Sequence, residues 1–258
     1  MQNILEVKEL TKKYQSKENE ILAIDNINFS IEEGEFVSII GPSGCGKSTL
    51  LSIIAGLIPK SNGDIYVEGE KITGINDKTG YMLQRDCLLE WKNILSNILF
   101  GLEIKRTINK ESKEYAENLL KKYELYEFKN RFPSELSGGM RQRASLIRTL
   151  CTRPKILLLD EAFSALDYQT RIMVTNDIYN ILKKEKITVL MVTHDISEAI
   201  SMSDRVIVLT KRPGRINKIH EIKFDIKERT PINTRESPEF SKYFNTLWKE
   251  LSVNDIRR

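Results

Sequence analysis

The chain has 258 residues, 40 of them basic and 36 acidic, for a formal net charge of +4, with 40% hydrophobic and 29% charged residues. That length can bury a substantial core, and the longest apolar runs, residues 156–159 and 189–192, are far below bilayer-spanning length, which excludes a membrane-embedded reading of this sequence. The charges are interspersed rather than gathered into a block, so composition carries no footprint of nucleic-acid binding. Residues 1–6 lack a basic segment followed by an apolar one, so cytosol is the expected compartment. Cys45, Cys87 and Cys151 form no CxxC pair and no metal-ligand spacing, which fits reduced thiols with neither disulfide nor zinc. The short basic clusters Lys211-Arg212 and Arg257-Arg258 read as solvated surface, with phosphates or lipid headgroups as the alternative partners.

Strands are predicted at residues 4–7 and 27–31, followed by a continuous apolar strand at 36–40 that stops at a glycine-rich turn. A helix follows from Lys47 to about Leu57. Ile65-Tyr66-Val67 before Glu68-Gly69 reads as another strand, and residues 111–123 place Tyr115, Leu119, Leu120 and Tyr123 at helical spacing. After Pro133 a helix runs from the glycine pair to Leu150. The wholly apolar runs 156–159 and 188–192, with a helical stretch between them, predict strands of a parallel sheet buried on both faces. Strand-like runs return at 206–209 and 215–219, and a proline-containing link leads to an aromatic-bearing helix near 240–251. No internal repeat is present, so one α/β domain over residues 1–225, with a C-terminal extension over 226–258, is the simplest organisation.

Gly41-Pro42-Ser43-Gly44-Cys45-Gly46-Lys47-Ser48 satisfies the G-x-x-x-x-G-K-[ST] pattern, at the junction of a strand and a helix. Glycines let the backbone turn its N–H groups toward phosphates at a helix N-terminus. Lys47 can neutralise the β and γ charges, and Ser48 can ligate Mg²⁺. Residues 41–48 and the adjoining Thr49 form the expected nucleotide-binding set. The second chemical element is Asp160-Glu161 at the end of the apolar run: Asp160 can orient the metal and Glu161 can polarise water. The alternative is that such a carboxylate merely caps the next helix.

Leu136-Ser137-Gly138-Gly139-Met140-Arg141-Gln142-Arg143 resembles the signature sequence of ABC ATPases, in that family's order and spacing relative to the other two motifs. Ser137 with the backbone N–H groups of Gly138 and Gly139 at a helix start makes a second anion site. The resemblance covers residues from about 4 to about 215. It implies a P-loop NTPase of the ABC type, with a small antiparallel β portion near the N-terminus and an inserted helical region at about 93–150. It implies an ATP hydrolase in which the signature of one subunit closes over nucleotide held by the loop of another, hence a head-to-tail homodimer with ATP and Mg²⁺ as ligands. Tyr14 is similar to the aromatic that stacks on adenine, although an isolated tyrosine is ordinarily surface or core. Gln84 resembles the glutamine that reads the metal and attacking water. Asp167, in Ser164-Ala165-Leu166-Asp167, resembles the residue that crosses the dimer interface, with a helix cap as the alternative. His194 is similar to the histidine that contacts the γ-phosphate. His220 has no such frame and reads as surface.

One cassette without a membrane span resembles the importer subunits of this family, which act at the cytoplasmic face of the membrane on separate permeases, served indirectly by a solute-binding protein. Leu88-Leu89-Glu90-Trp91, Ala165-Leu166-Asp167-Tyr168-Gln169-Thr170-Arg171, Arg212-Pro213-Gly214-Arg215-Ile216 and Ser237-Pro238-Glu239-Phe240 resemble the nitrate, sulfonate and taurine uptake subfamily. Glu90 departs from the proline usual there, in a segment where the family meets its membrane partner. Residues 93–101, with Ile94, Leu95, Ile98 and Leu99, are either an apolar docking face for that partner or plain core. Two rival functions stay open at this stage: a P-loop small-molecule kinase, which leaves residues 136–143 unexplained, and an ABC ATPase acting on nucleic acid or ribosomes, which ordinarily carries coiled-coil insertions or tandem cassettes.

Overall fold

The computed structural model describes residues 3–15 and 19–256; Arg257 and Arg258 lie outside the described residues. The first strands form an antiparallel sheet: β1 (Asn3–Gln15) pairs with β2 (Glu20–Glu32) on one side and β4 (Asn62–Val67) on the other, and β5 (Glu70–Lys71) closes the edge. β1 and β2 run far beyond residues 4–7 and 27–31. Register shifts between Val7 and Leu10 and again before Lys12 break the period-2 pattern on which the shorter prediction rested.

The second sheet has the order β10-β9-β3-β8-β7-β6. β3 (Phe36–Ile40), β6 (Thr79–Met82), β7 (Ile156–Asp160), β8 (Thr188–Val192) and β9 (Arg205–Leu209) are parallel, and β10 (Ile216–Glu221) is antiparallel on its edge. The apolar runs are continuous because both faces are covered. Along β7, Leu157 and Leu159 enter one core while Ile156 and Leu158 enter another; β8 repeats this with Val189 and Met191 against Leu190 and Val192. β6 escaped prediction because four residues with Gly80 inside carry too little pattern.

α1 (Lys47–Ile54) ends earlier than predicted. Gly56 takes φ 76°, and a Cβ there would lie 2.2 Å from the Gly74 backbone, so the chain must leave the helix. The helical region contains α2 (Ile94–Ile104), α3 (Lys110–Lys122) and α4 (Gly138–Leu150). Ile94, Ile98 and Leu99 are buried in the core and Leu95 packs against it, because α2 lies on α4. The apolar face of residues 93–101 is therefore core, and the docking alternative for those side chains falls.

α5 (Tyr168–Lys184) and α6 (Ile196–Met202) precede and follow β8; α7 (Pro231–Glu236) and α8 (Pro238–Ile256) end the described chain. The helices α7 and α8 are not a loose appendage. Leu247 of α8 is fully buried with Ile200, Val206 and Val208, and Phe240, Tyr243 and Phe244 pack against that cluster. His220 is likewise no free surface residue: with 12% of its side chain exposed, its Nε2 lies 2.9 Å from Glu250 Oε2 on α8. The unforeseen packing of α8 beside the β10 edge is the reason.

Candidate functional site

The carboxyl ends of β3, β6, β7 and β8 share one edge, the position where open α/β sheets bind ligands. From β3 the chain enters residues 41–46. Gly46 sits at φ 104°, and a Cβ there would lie 2.6 Å from Ile24 Cγ2. No side chain caps α1, so the first-turn N–H groups of Lys47, Ser48 and Thr49 are left to an anion. Lys47 is buried and folds back, its Nζ donating to the carbonyls of Gly41 at 2.8 Å and Pro42 at 3.1 Å. Cys45 turns its thiol into the core, where burial pushes its pKa up against the pull of Lys47. It serves the loop through its backbone.

Ser48 Oγ donates to Asp160 Oδ1 at 2.9 Å, and Tyr81 of β6 donates to Oδ2 of the same carboxylate at 2.9 Å. Burial pushes the Tyr81 phenol up to about 12, so it is a permanent donor at neutral pH. In the sequence Tyr81 is simply the first residue of the apolar run Tyr81-Met82-Leu83 ahead of Gln84. Its role appears only once β6 pairs with β7 in the register that sets Tyr81 beside Leu158.

Glu161 follows at φ 47°, a left-handed conformation that a non-glycine residue adopts at a cost. Its N–H donates to Val192 O at 2.9 Å, and the turn sends its carboxylate to 3.1 Å from His194 Nδ1. Ser164 Oγ donates to Glu161 O at 2.9 Å and accepts from Gln84 Nε2 at 3.0 Å, which carries the β6 loop onto the β7 loop. Beneath His194, the fully buried Glu198 has its carboxyl pushed up to about 7 by desolvation, with a Thr193 hydrogen bond, Arg171 and Arg235 pulling it back and Asp195 adding to the rise.

A cavity of about 800 Å³ opens over this edge. Its walls include Tyr14, Ser43, Gly44, Gly46, Lys47, Ser48, Thr49, Glu161 and His194, together with Ile21 and Arg212, neither of which the motifs singled out as a nucleotide contact. Tyr14 is 38% exposed, its ring 4.9 Å from Lys12 Nζ, so one edge of the cavity is an aromatic surface. Asp160 lies behind Ser48, and the exposed Gln84, bonded to Ser164, does not line the cavity. Ser137, Gly138, Gly139 and Asp167 do not line it. Ser137 Oγ instead accepts the Met140 N–H at 3.3 Å as the cap of α4, and Asp167 caps α5, its carboxyl held below the usual range by hydrogen bonds from Thr170. One chain thus presents the two glycine-bearing helix starts, at Gly46 and at Ser137-Gly138-Gly139, without bringing them together.

The hydroxyl of Ser48, the Asp160 carboxylate and the Gln84 amide oxygen are hard donors suited to Mg²⁺. Among the described residues no group of three or more His, Cys, Asp and Glu side chains forms an all-protein metal cage. This donor set suits an ion held jointly by a few side chains and substrate phosphates.

The profile of the ABC transporter family matches residues 24–164. The chain is 46% identical to the uncharacterized ABC transporter ATP-binding protein YtlC of Bacillus subtilis, over 97% of this chain and 96% of that one. It is 40% identical to the nitrate import ATP-binding protein NrtD of Synechocystis, over 94% and 93% of the two chains. Among solved structures, the dimeric post-hydrolysis state of the ATP-binding cassette MJ0796 bound to ADP and Pi is 33% identical. It superposes with a TM-score of 0.72, covering 85% of this chain and 99% of that one.

Proposed function

This chain belongs to the ABC transporter family and is an ATP-binding subunit that hydrolyses ATP; from that premise we propose that it energises an importer for nitrate, a sulfonate, taurine or a related small solute. The observation that carries the reading is the separation of the two helix starts. Glu161, His194, Ser43, Gly44 and residues 46–49 share a cavity that Ser137, Gly138 and Gly139 do not reach. A second copy in head-to-tail orientation supplies the missing wall, so hydrolysis belongs to the dimer. Membership of the family removes the kinase alternative. In the proposed assignment, residues 1–225 are the ATPase domain with its helical part at about 93–150, and 226–258 are its extension.

In the working site the backbone of residues 41–49 and Lys47 hold the phosphates, and Tyr14 stacks on the base. Ser48 and Gln84 flank the metal and Asp160 supports it through Ser48, with Tyr81 fixing the second carboxylate oxygen. Mg²⁺, when bound, neutralises and orients the β- and γ-phosphates. Glu161 takes the proton of the attacking water, His194 holds the γ-phosphate region, and Asp167 meets the second subunit. The permease meets the exposed surface that includes Trp91, 74% exposed, and Leu83, 45% exposed, beside the Gln84 loop. Among the described residues no helix is long and apolar enough to cross a membrane, and the proposed location is peripheral, on the cytoplasmic face.

The test is ATP hydrolysis by the chain alone and after co-purification with the permease encoded nearest to it, each beside its Glu161→Gln variant. A stable complex whose activity depends on a nitrate- or sulfonate-loaded binding protein supports the importer assignment. A chain that ignores the permease and responds to nucleic acid or ribosomes sinks it.

A further inference from the structure

Glu161 and His194 stand on loops that leave different strands, residues 161–167 after β7 and 193–195 after β8. Their direct contact is the 3.1 Å pair. One side chain outside the cavity grips both loops. Arg171, near the start of α5, donates from Nη2 to the carbonyls of Leu166 at 2.9 Å and Ser164 at 3.4 Å, while its Nη1 lies 3.6 Å from Asp195 Oδ2. Asp195 follows His194 directly, and its other oxygen caps α6 by accepting the N–H groups of Ser197 at 2.8 Å and Glu198 at 3.1 Å.

The placement works against ordinary helix energetics. A cation near a helix N-terminus opposes the macrodipole, the side chain is only 24% exposed, and its Nε is buried without a hydrogen-bond partner. Burial of that kind is unfavourable unless the planar fork makes bonds a simpler cation cannot. Here the fork spans two backbone carbonyls of one loop and a carboxylate of the other. The fully buried Glu198 lies on the same helix as the capped end and interacts with Arg171 as well.

We propose that Arg171 is a positioning residue that locks the loop carrying Glu161 to the loop carrying His194, so that the water-activating carboxylate and the phosphate-sensing imidazole move as one unit. The proposal rests on the ATPase reading, and its test contains a readout that does not need hydrolysis.

Full-length chain carrying Arg171→Lys, Asp195→Asn or both is compared with wild type and Glu161→Gln. Lysine keeps the charge but cannot bridge two carbonyls and a carboxylate, and asparagine keeps the α6 cap while removing the anion. Each single variant should lower kcat about 10- to 100-fold by misplacing the catalytic pair, with ATP affinity and KM unchanged. The double variant should be no worse than the weaker single one. In nucleotide-free protein, amide hydrogen exchange in Arg171→Lys should accelerate at both 161–167 and 193–198. Unchanged kcat, multiplying effects in the double variant, or faster exchange confined to residues 164–171 would each overturn the brace. If Arg171→Lys does not fold, Asp195→Asn alone decides by the same two readouts. Should wild type hydrolyse no faster than Glu161→Gln, the ATPase premise has failed, and the exchange pattern still judges the brace.

Discussion

Two helix N-termini in this molecule are built from the same materials and finished differently. α1 starts from Gly46 in a left-handed conformation with no side-chain cap, and its first turn opens into the cavity. α4 starts from Ser137, whose hydroxyl already satisfies the Met140 amide, and it lies outside that cavity. An uncapped end leaves its N–H groups to an anion within the same chain. The capped end has its own hydroxyl partner and leaves only Gly138 half-exposed, since Gly139 is buried beside Val174 and Thr170. In the proposed dimer, the first end holds phosphate within its own chain and the second completes the site of the other copy.

The hardest test of that division is Glu161→Gln. It should lower kcat by roughly 10²–10⁴-fold through loss of the general base while leaving nucleotide affinity intact. Size-exclusion chromatography should then show an ATP-stabilised dimer, and a variant that stays monomeric at saturating ATP breaks the comparison. Next in size is Gly46→Ala: the strained φ alone costs about 1–3 kcal/mol and the Cβ meets Ile24. Nucleotide titration of the monomer should register a loss of affinity. Ser137→Ala should cost about 1 kcal/mol of unfolding free energy as a lost cap, read by denaturant melts, with monomer affinity for ATP unchanged. Smallest in the isolated chain is Gly138→Ala. A Cβ there comes no nearer than 3.4 Å to Leu166 Cδ2, an ordinary contact, so stability and monomer binding should hold. ATP-driven dimerisation and hydrolysis should fall. If Gly138→Ala instead weakened nucleotide binding by the monomer, the two ends would not be separate sites.

That Lys47, Ser48 and Glu161 line one cavity was foreshadowed in the sequence, because phosphate chemistry ties residue type to short spacing: Lys47 and Ser48 follow the loop, and Glu161 follows Asp160. The buried sheet was legible too, since β7 and β8 need apolar residues on both faces. Tyr81 and Arg171 were not legible in those roles. A tyrosine in a short strand and an arginine in a helix carry no local mark of the carboxylate or carbonyls they reach 79 and 5 positions away. Residues 93–101 show the same limit in reverse: helical apolar spacing states that one face is buried, not what buries it. α4 turned out to be the cover. The misplacement of His220 has the same origin, its partner Glu250 lying 30 residues on.

By itself the sequence determined the strand-loop-helix that receives phosphate, the signature octet and the carboxylate pair, because each depends on neighbours within one turn or one strand. Only the tertiary structure decided which of these share a cavity, which side chains hold them at their separations, and that the signature faces elsewhere. Those relations depend on strand order and helix packing, and contacts made across a sheet impose no pattern on the residues between them.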